Sequence, residues 1–211
     1  MKKEYQRYLN YNKQFDKITL LEIISLLIVI AGNFGFLYEF IFYYFNGGMK
    51  NFYWRGGNFL PWINIYATGS ILIYFLTYKY RNKPLKVFLI SLIISAILEY
   101  ISGWGMLKFA HKRCWDYNNE ILNFGNINGF ICLRSVLFFA ISALVLVYLI
   151  IPFIYYLTKI INKKIFLIIS LSLCSIILID EFYNLLFARI LKLPRAYDVY
   201  SKMGIKYVKF K

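Results

Sequence analysis

Of the 211 residues, 60% are hydrophobic and 17% charged, with a formal net charge of +15 and a mean hydropathy of +0.56. Those fractions exclude an ordinary soluble domain, which could not hide so much apolar surface in one core. The Lys and Arg residues sit between long apolar blocks and at the termini, which points to anionic lipid headgroups rather than nucleic acid.

Met1 to Lys17 form a basic segment too polar for a signal peptide, and the apolar run behind it is too long for the hydrophobic part of one. A bilayer core takes about 20 apolar residues in a helix. Five stretches supply them: Ile18 to about Phe42, Leu60 to Tyr78, Leu85 to about Leu107, about Phe130 to Leu157, and Ile165 to about Leu191. The second is the shortest. Residues 18–191 therefore predict one all-α transmembrane domain, a polytopic bundle of about five helices, followed by a basic tail over 192–211. Gly47-Gly48 and Gly56-Gly57 mark turns, and Trp54, Trp62, Trp104 and Trp115 suit interfacial aromatic belts.

Small residues recur every four positions, as in Ala31 and Gly35 before Glu39, and in Ser91, Ser95, Glu99 and Gly103. Ser172, Asp180, Asn184 and Ala188 keep the same register. Four-residue spacing lays each set on one helical face. Lipid supplies no hydrophobic drive for helix association, so such faces are where backbones approach closely. The cations of alternate connectors balance, and only the dominance of the first helix favours a cytoplasmic N-terminus.

Charges inside spans are costly and face the bundle interior or a cavity. Glu39 lies near the end of the first span, Glu99 two thirds along the third, Asp180 and Glu181 two thirds along the fifth, and Arg134 at the start of the fourth. Traced back and forth, all of them, with Arg55 and Asp116 in connectors, fall toward one membrane face. The other half of each span is apolar except for Glu22, which is close enough to the first span's entry to reach the interface. These positions predict a one-sided polar pocket, with Arg55 pairing Glu39 and Arg134 pairing Glu99 or Asp180. Against this stands a simpler role, in which buried pairs only fix helix register.

The chain has no phosphate loop, serine elbow, HExxH pair or metal-binding histidine pair, so no nucleotide, cofactor or metal is expected on it. His111, the one histidine, reads as a solvated connector residue. Cys174 reads as packing, and Cys114 and Cys132 flank one connector, where they would pair only on an oxidising side.

Several of these residues also carry a resemblance. Gly35 and Glu39, Arg55-Gly56 followed by Leu60-Pro61 and Gly69, Leu98-Glu99-Tyr100, and Trp115-Asp116-Tyr117 stand in that order. The stretch Asn128 to Ser135 and Asp180 follow. Over roughly Gly35 to Asn184 the chain resembles the CmpB-like, type IV family of small bacterial membrane proteins described as ABC transporter permeases. It departs from the family at Trp62-Ile63-Asn64-Ile65-Tyr66, where a Tyr-Gly-x-Gly type turn is usual, and at Phe130, where a basic residue is usual. The resemblance implies a multi-pass protein of the bacterial cell membrane whose ATPase would be a separate subunit, and it selects Glu39, Arg55, Glu99, Asp116, Arg134 and Asp180.

Three functions compete. A transport component would line a polar half-channel with these residues and pair with itself or with an ATPase. A membrane scaffold or regulatory partner would use the charges only to hold the bundle. An intramembrane enzyme would use Glu99 or Asp180 as a base on a lipid or other amphiphile, with Arg55 or Arg134 holding its headgroup.

Overall fold

The computed structural model describes residues 2–10, 14–46 and 53–207. The expected turn at Gly47-Gly48, with Lys13, Lys50 and the tail cations Lys209 and Lys211, lies outside the described residues. Seven helices follow in order: α1 (Lys2–Asn10), α2 (Lys17–Asn46), α3 (Asn64–Thr77), α4 (Pro84–Ala110), α5 (Leu133–Ile160), α6 (Lys163–Ile190) and α7 (Ala196–Lys202). Two short strands, β1 (Tyr53–Trp54) and β2 (Lys206–Tyr207), pair in parallel. Four helices, α2, α4, α5 and α6, are long and apolar enough to cross a membrane. The expected second span forms as α3, but its 14 residues reach only about 21 Å against a hydrocarbon core of about 30 Å. Leu60 to Ile63 are drawn out of it into a loop that other residues hold.

The long helices are built inside out. In α4 the buried positions are Val87, Ser91, Ser95, Glu99 and Gly103, while Leu85, Leu89, Ile93, Ile97 and Ile101 are all exposed at the same four-residue spacing. Water would reverse that arrangement. Lipid favours it, because small residues let helices approach and the apolar stripe meets acyl chains. Ser95 returns its hydroxyl to the Ser91 carbonyl at 2.6 Å, and Ser170 of α6 does the same to Phe166 at 2.8 Å, so neither hydroxyl is stranded. The architecture is that of an all-α polytopic membrane protein.

The described chain falls into two compact units. The first takes residues 2–23 and 69–163. Here α4 packs along the first half of α5, and α1 packs on its last turns. Pro84 opens α4 at a position where no amide hydrogen is needed, and His111 closes it in the left-handed region at φ 51°, its N–H on the Met106 carbonyl. Inside α5, residues Leu146–Ile150 form a π turn, and the Ile151 N–H bonds Leu146 five residues back. Pro152 explains the slip, since a proline has no N–H and its ring crowds the carbonyl four residues before it. Below that turn, Arg81 is buried with its guanidinium over the rings of Tyr8 at 4.5 Å and Phe15 at 5.0 Å.

The second unit takes residues 24–68 and 164–207 among those described. Trp62 is its centre. Expected in an interfacial belt, it is instead buried with Ala67 and Ile177, its indole N–H on the Ile28 carbonyl at 2.8 Å. The indole lies against Gly32, where any side chain would collide with it. The basic tail folds back: α7 follows Pro194, and β2 joins β1 while Trp54 meets Tyr200 edge-on at 4.9 Å. Of the three cysteines, Cys114 is exposed and Cys132 and Cys174 are buried.

Candidate functional site

The seven residues singled out in the sequence fall into polar networks within the two units, one in the first and two in the second. In the first unit the centre is Glu99, in the middle of α4 and only 2% exposed. Both carboxyl oxygens are held: the Tyr117 hydroxyl donates to Oε1 at 2.7 Å, and Ser135 Oγ lies 2.8 Å from Oε2. The same Ser135 hydroxyl is 2.9 Å from the Cys132 carbonyl and receives the Cys132 N–H at 3.3 Å, closing the first turn of α5. A carboxylate at this depth without donors would cost several kcal/mol.

The connector between α4 and α5 roofs this centre. Gly103, one turn beyond Glu99, gives it room: a Cβ there would stand 2.8 Å from the Phe130 ring. Trp115 donates its indole N–H to the Phe130 carbonyl at 2.9 Å. Arg134 pairs with Glu120 at 2.5 Å and lies over the Tyr117 ring at 5.6 Å. Asp116 pairs with Arg113 at 3.0 Å and caps the turn Tyr117–Asn119 through the Asn118 N–H. Gly129, at φ 73°, passes so close to Arg113 and Asp116 that a side chain would meet both.

In the second unit Glu39 of α2 holds Arg55, with Nε 2.7 Å from Oε2 and Nη2 2.5 Å from the same oxygen. The expected pair is present. Arg55 is 7% exposed, lies over the Tyr43 ring at 4.0 Å, and the Tyr66 hydroxyl adds a bond to Glu39 Oε1 at 3.3 Å. Burial works to strip the guanidinium of its proton, but the Glu39 carboxylate, with Tyr43 and Tyr66, outweighs it and holds Arg55 above its ordinary value.

Asp180 and Glu181 of α6 grip the loop before α3. Asp180 accepts the backbone N–H of Phe59 at 3.1 Å and of Leu60 at 2.6 Å, and the Asn184 amide at 2.8 Å. Glu181 accepts from Asn58 at 2.7 Å and from Asn64 at 3.1 Å. Asn184 in turn receives the Ala196 N–H at 2.7 Å, tying the start of α7 to the same point. Asp180 thus satisfies two backbone donors of the loop, and Glu181 two of its side-chain amides.

Sequence reasoning missed Tyr117, Ser135, Glu120 and Asn58 as members of these networks. Glu120 carried a signal as an acid spaced 14 residues before Arg134, and Tyr117 and Ser135 stood only within the motifs of the family resemblance. Glu22, near the entry of the first span, is buried in the protein, and neither carboxyl oxygen has a hydrogen-bond partner among the described residues.

Four helices long and apolar enough to cross a membrane, together with the family that the sequence matches, make this a transporter-like membrane protein. The chain belongs to the family described as "Putative ABC-transporter type IV", whose model matches residues 26–185. That range contains the stretch over which the sequence resembles the family, and every residue of these networks up to Asn184. No curated protein and no solved structure matches the chain.

Proposed function

We propose that the chain is the multi-pass subunit of a transport system in the bacterial cell membrane, working with a separate ATPase, and that Glu99 is the group its cargo or coupling ion engages. The observation that carries this reading is Glu99 itself: an almost fully buried acid in a span-length helix, poised between a hydroxyl of the connector, Tyr117, and one of the next helix, Ser135. Such a carboxyl can exchange either hydroxyl for a ligand, and the connector's own ion pairs, Arg134 with Glu120 and Arg113 with Asp116, keep the roof in place while it does so. The one-sided polar face traced in the sequence belongs to this reading.

A specific observation favours a second reading, a scaffold or regulatory partner. Asp180 spends both oxygens on backbone amides and Asn184, as a purely architectural clamp would. Capture of the tagged chain from native membranes, with Glu99→Gln in parallel, separates the two. Transport predicts a co-purifying ATPase whose turnover in proteoliposomes falls at least tenfold in Glu99→Gln at unchanged abundance. Loss of abundance in step with loss of function, with no ATPase recovered, would leave the scaffold.

A further inference from the structure

The connector 111–132 is braced from within by polar groups. Asn118 Nδ2 donates to Asp116 at 2.7 Å, Asn123 to the Asn118 carbonyl at 2.9 Å, Asn126 to Asn118 Oδ1 at 2.9 Å, and the Gly129 N–H to Asn126 Oδ1 at 2.8 Å. Arg134 holds the Ile121 carbonyl at 2.8 Å, and the Leu133 N–H reaches the Phe124 carbonyl at 2.8 Å. A loop so completely tied has a fixed surface.

That surface is the reverse of what water selects. Ile121, Leu122, Phe124 and Ile127 all point outward, Leu122 59% and Phe124 68% exposed. Leu122 is moreover held at φ 52°, a left-handed conformation that a branched aliphatic residue adopts only under constraint. The turn therefore spends backbone strain while presenting apolar side chains. The bond from the Leu133 N–H to the Phe124 carbonyl sets this surface beside Leu133, exposed at the start of α5, and Phe109 at the end of α4 is exposed as well. Lys108 and Lys112 stand beside that junction and are exposed too.

We infer that the connector tip, Ile121 to Ile127, is an interfacial anchor seated at the boundary between headgroups and acyl chains of one leaflet, with Lys108 and Lys112 on anionic headgroups. Adjacency to the start of α5, a span-length helix with an exposed apolar face, selects lipid over a protein partner, because a leaflet that covers that face reaches the tip beside it. The adjoining cations match the charge of anionic headgroups. Tyr117, Glu120 and the tip share one braced loop, so the depth of the tip in the leaflet sets the height of the roof over Glu99. The inference rests on α4 and α5 spanning the membrane and is independent of the transport role.

A nitroxide depth measurement tests it. Phe124→Cys in a Cys114→Ser background is spin-labelled, Cys132 and Cys174 being buried in the fold, and reconstituted into vesicles of phosphatidylcholine and phosphatidylglycerol. Seating in the leaflet predicts that oxygen relaxes the label at 124 several-fold more effectively than a water-soluble nickel chelate, while a label at Lys112→Cys shows the opposite preference. Nickel preference at 124 would put the tip in water and overturn the inference. Low access to both reagents would mean contact with a second copy or another protein, and overturn it equally. Ile127→Cys reports on the same surface, so a label tolerated at either site decides.

Discussion

The Tyr8 hydroxyl donates a 2.8 Å hydrogen bond to the Val147 carbonyl, joining the N-terminal helix to the middle of α5. That carbonyl has no helical donor to turn to. The Ile151 N–H is committed to Leu146, and the next residue is Pro152, which has no N–H. The tyrosine thus repairs a defect that the proline makes, and burial holds its hydroxyl well above the usual tyrosine range. Tyr8→Phe is expected to cost about 1–3 kcal/mol, the penalty for stranding a buried acceptor. The check is a thermal melt in detergent on Tyr8→Phe, Pro152→Ala and the double variant. With Pro152→Ala an amide can return to the carbonyl, so the Tyr8→Phe loss should shrink by at least half, whereas equal losses in both backgrounds would refute the account.

Breaking the pair of Glu39 and Arg55 should be worse than deleting it. Glu39→Ala leaves a guanidinium buried at 7% exposure, and a stranded charge of this kind costs about 3–5 kcal/mol. Glu39→Ala combined with Arg55→Met should recover part of that loss. Stability of the three variants, read as the retained monodisperse fraction after heating, supplies the comparison.

Asp180→Ala removes the acceptor of two backbone N–H groups. Amide exchange in the segment 58–64 should then rise by at least tenfold, while α4, which lies in the other unit, keeps its protection. Mass spectrometry on the two proteins in nanodiscs shows whether the effect is so confined. Unchanged exchange at Phe59 and Leu60 would remove the clamp from the description.

Asp16 caps the start of α2, accepting the Thr19 N–H at 3.2 Å, and its contacts with Thr19 hold its carboxyl below the usual aspartate range. A carboxyl depressed in the fold stabilises it above the unfolded value near 3.9 and loses that contribution as pH falls through the lower folded value. Asp16→Asn keeps a capping oxygen but loses the charge, so at pH 7 it should melt below the parent and meet it only as the parent's carboxyl protonates. Asp16→Ala should melt lower at pH 7, by roughly 1 kcal/mol, and the gap to the parent should narrow as pH falls from about 4 through the lower folded value.

The residues that sequence could reveal are those whose cost is intrinsic. An acid inside an apolar run is expensive wherever its neighbours lie, which is why Glu39, Glu99 and Asp180 stand out before any coordinates. The pair Glu39 and Arg55 was legible because only 16 residues separate them. Tyr117 and Ser135 were not, since a tyrosine at a helix end and a serine in a first turn are common for ordinary reasons, and only tertiary placement brings both to Glu99. The Trp62 reversal has the same origin: an indole prefers the interface on average, and what overrides that average is the gap at Gly32, two elements away. The short α3 was hidden because hydropathy counts Leu60 to Ile63 as span, while Asp180 recruits their backbone into a loop.

Cys114 is the one thiol that the fold leaves open, beside the roof of Glu99. Nature has therefore equipped the chain with a single chemical handle at its most informative place. A maleimide too polar to enter cells will react with it before lysis if the connector faces outward, and only afterwards if it faces inward, so one gel reads the insertion polarity that balanced cations leave undetermined in the sequence.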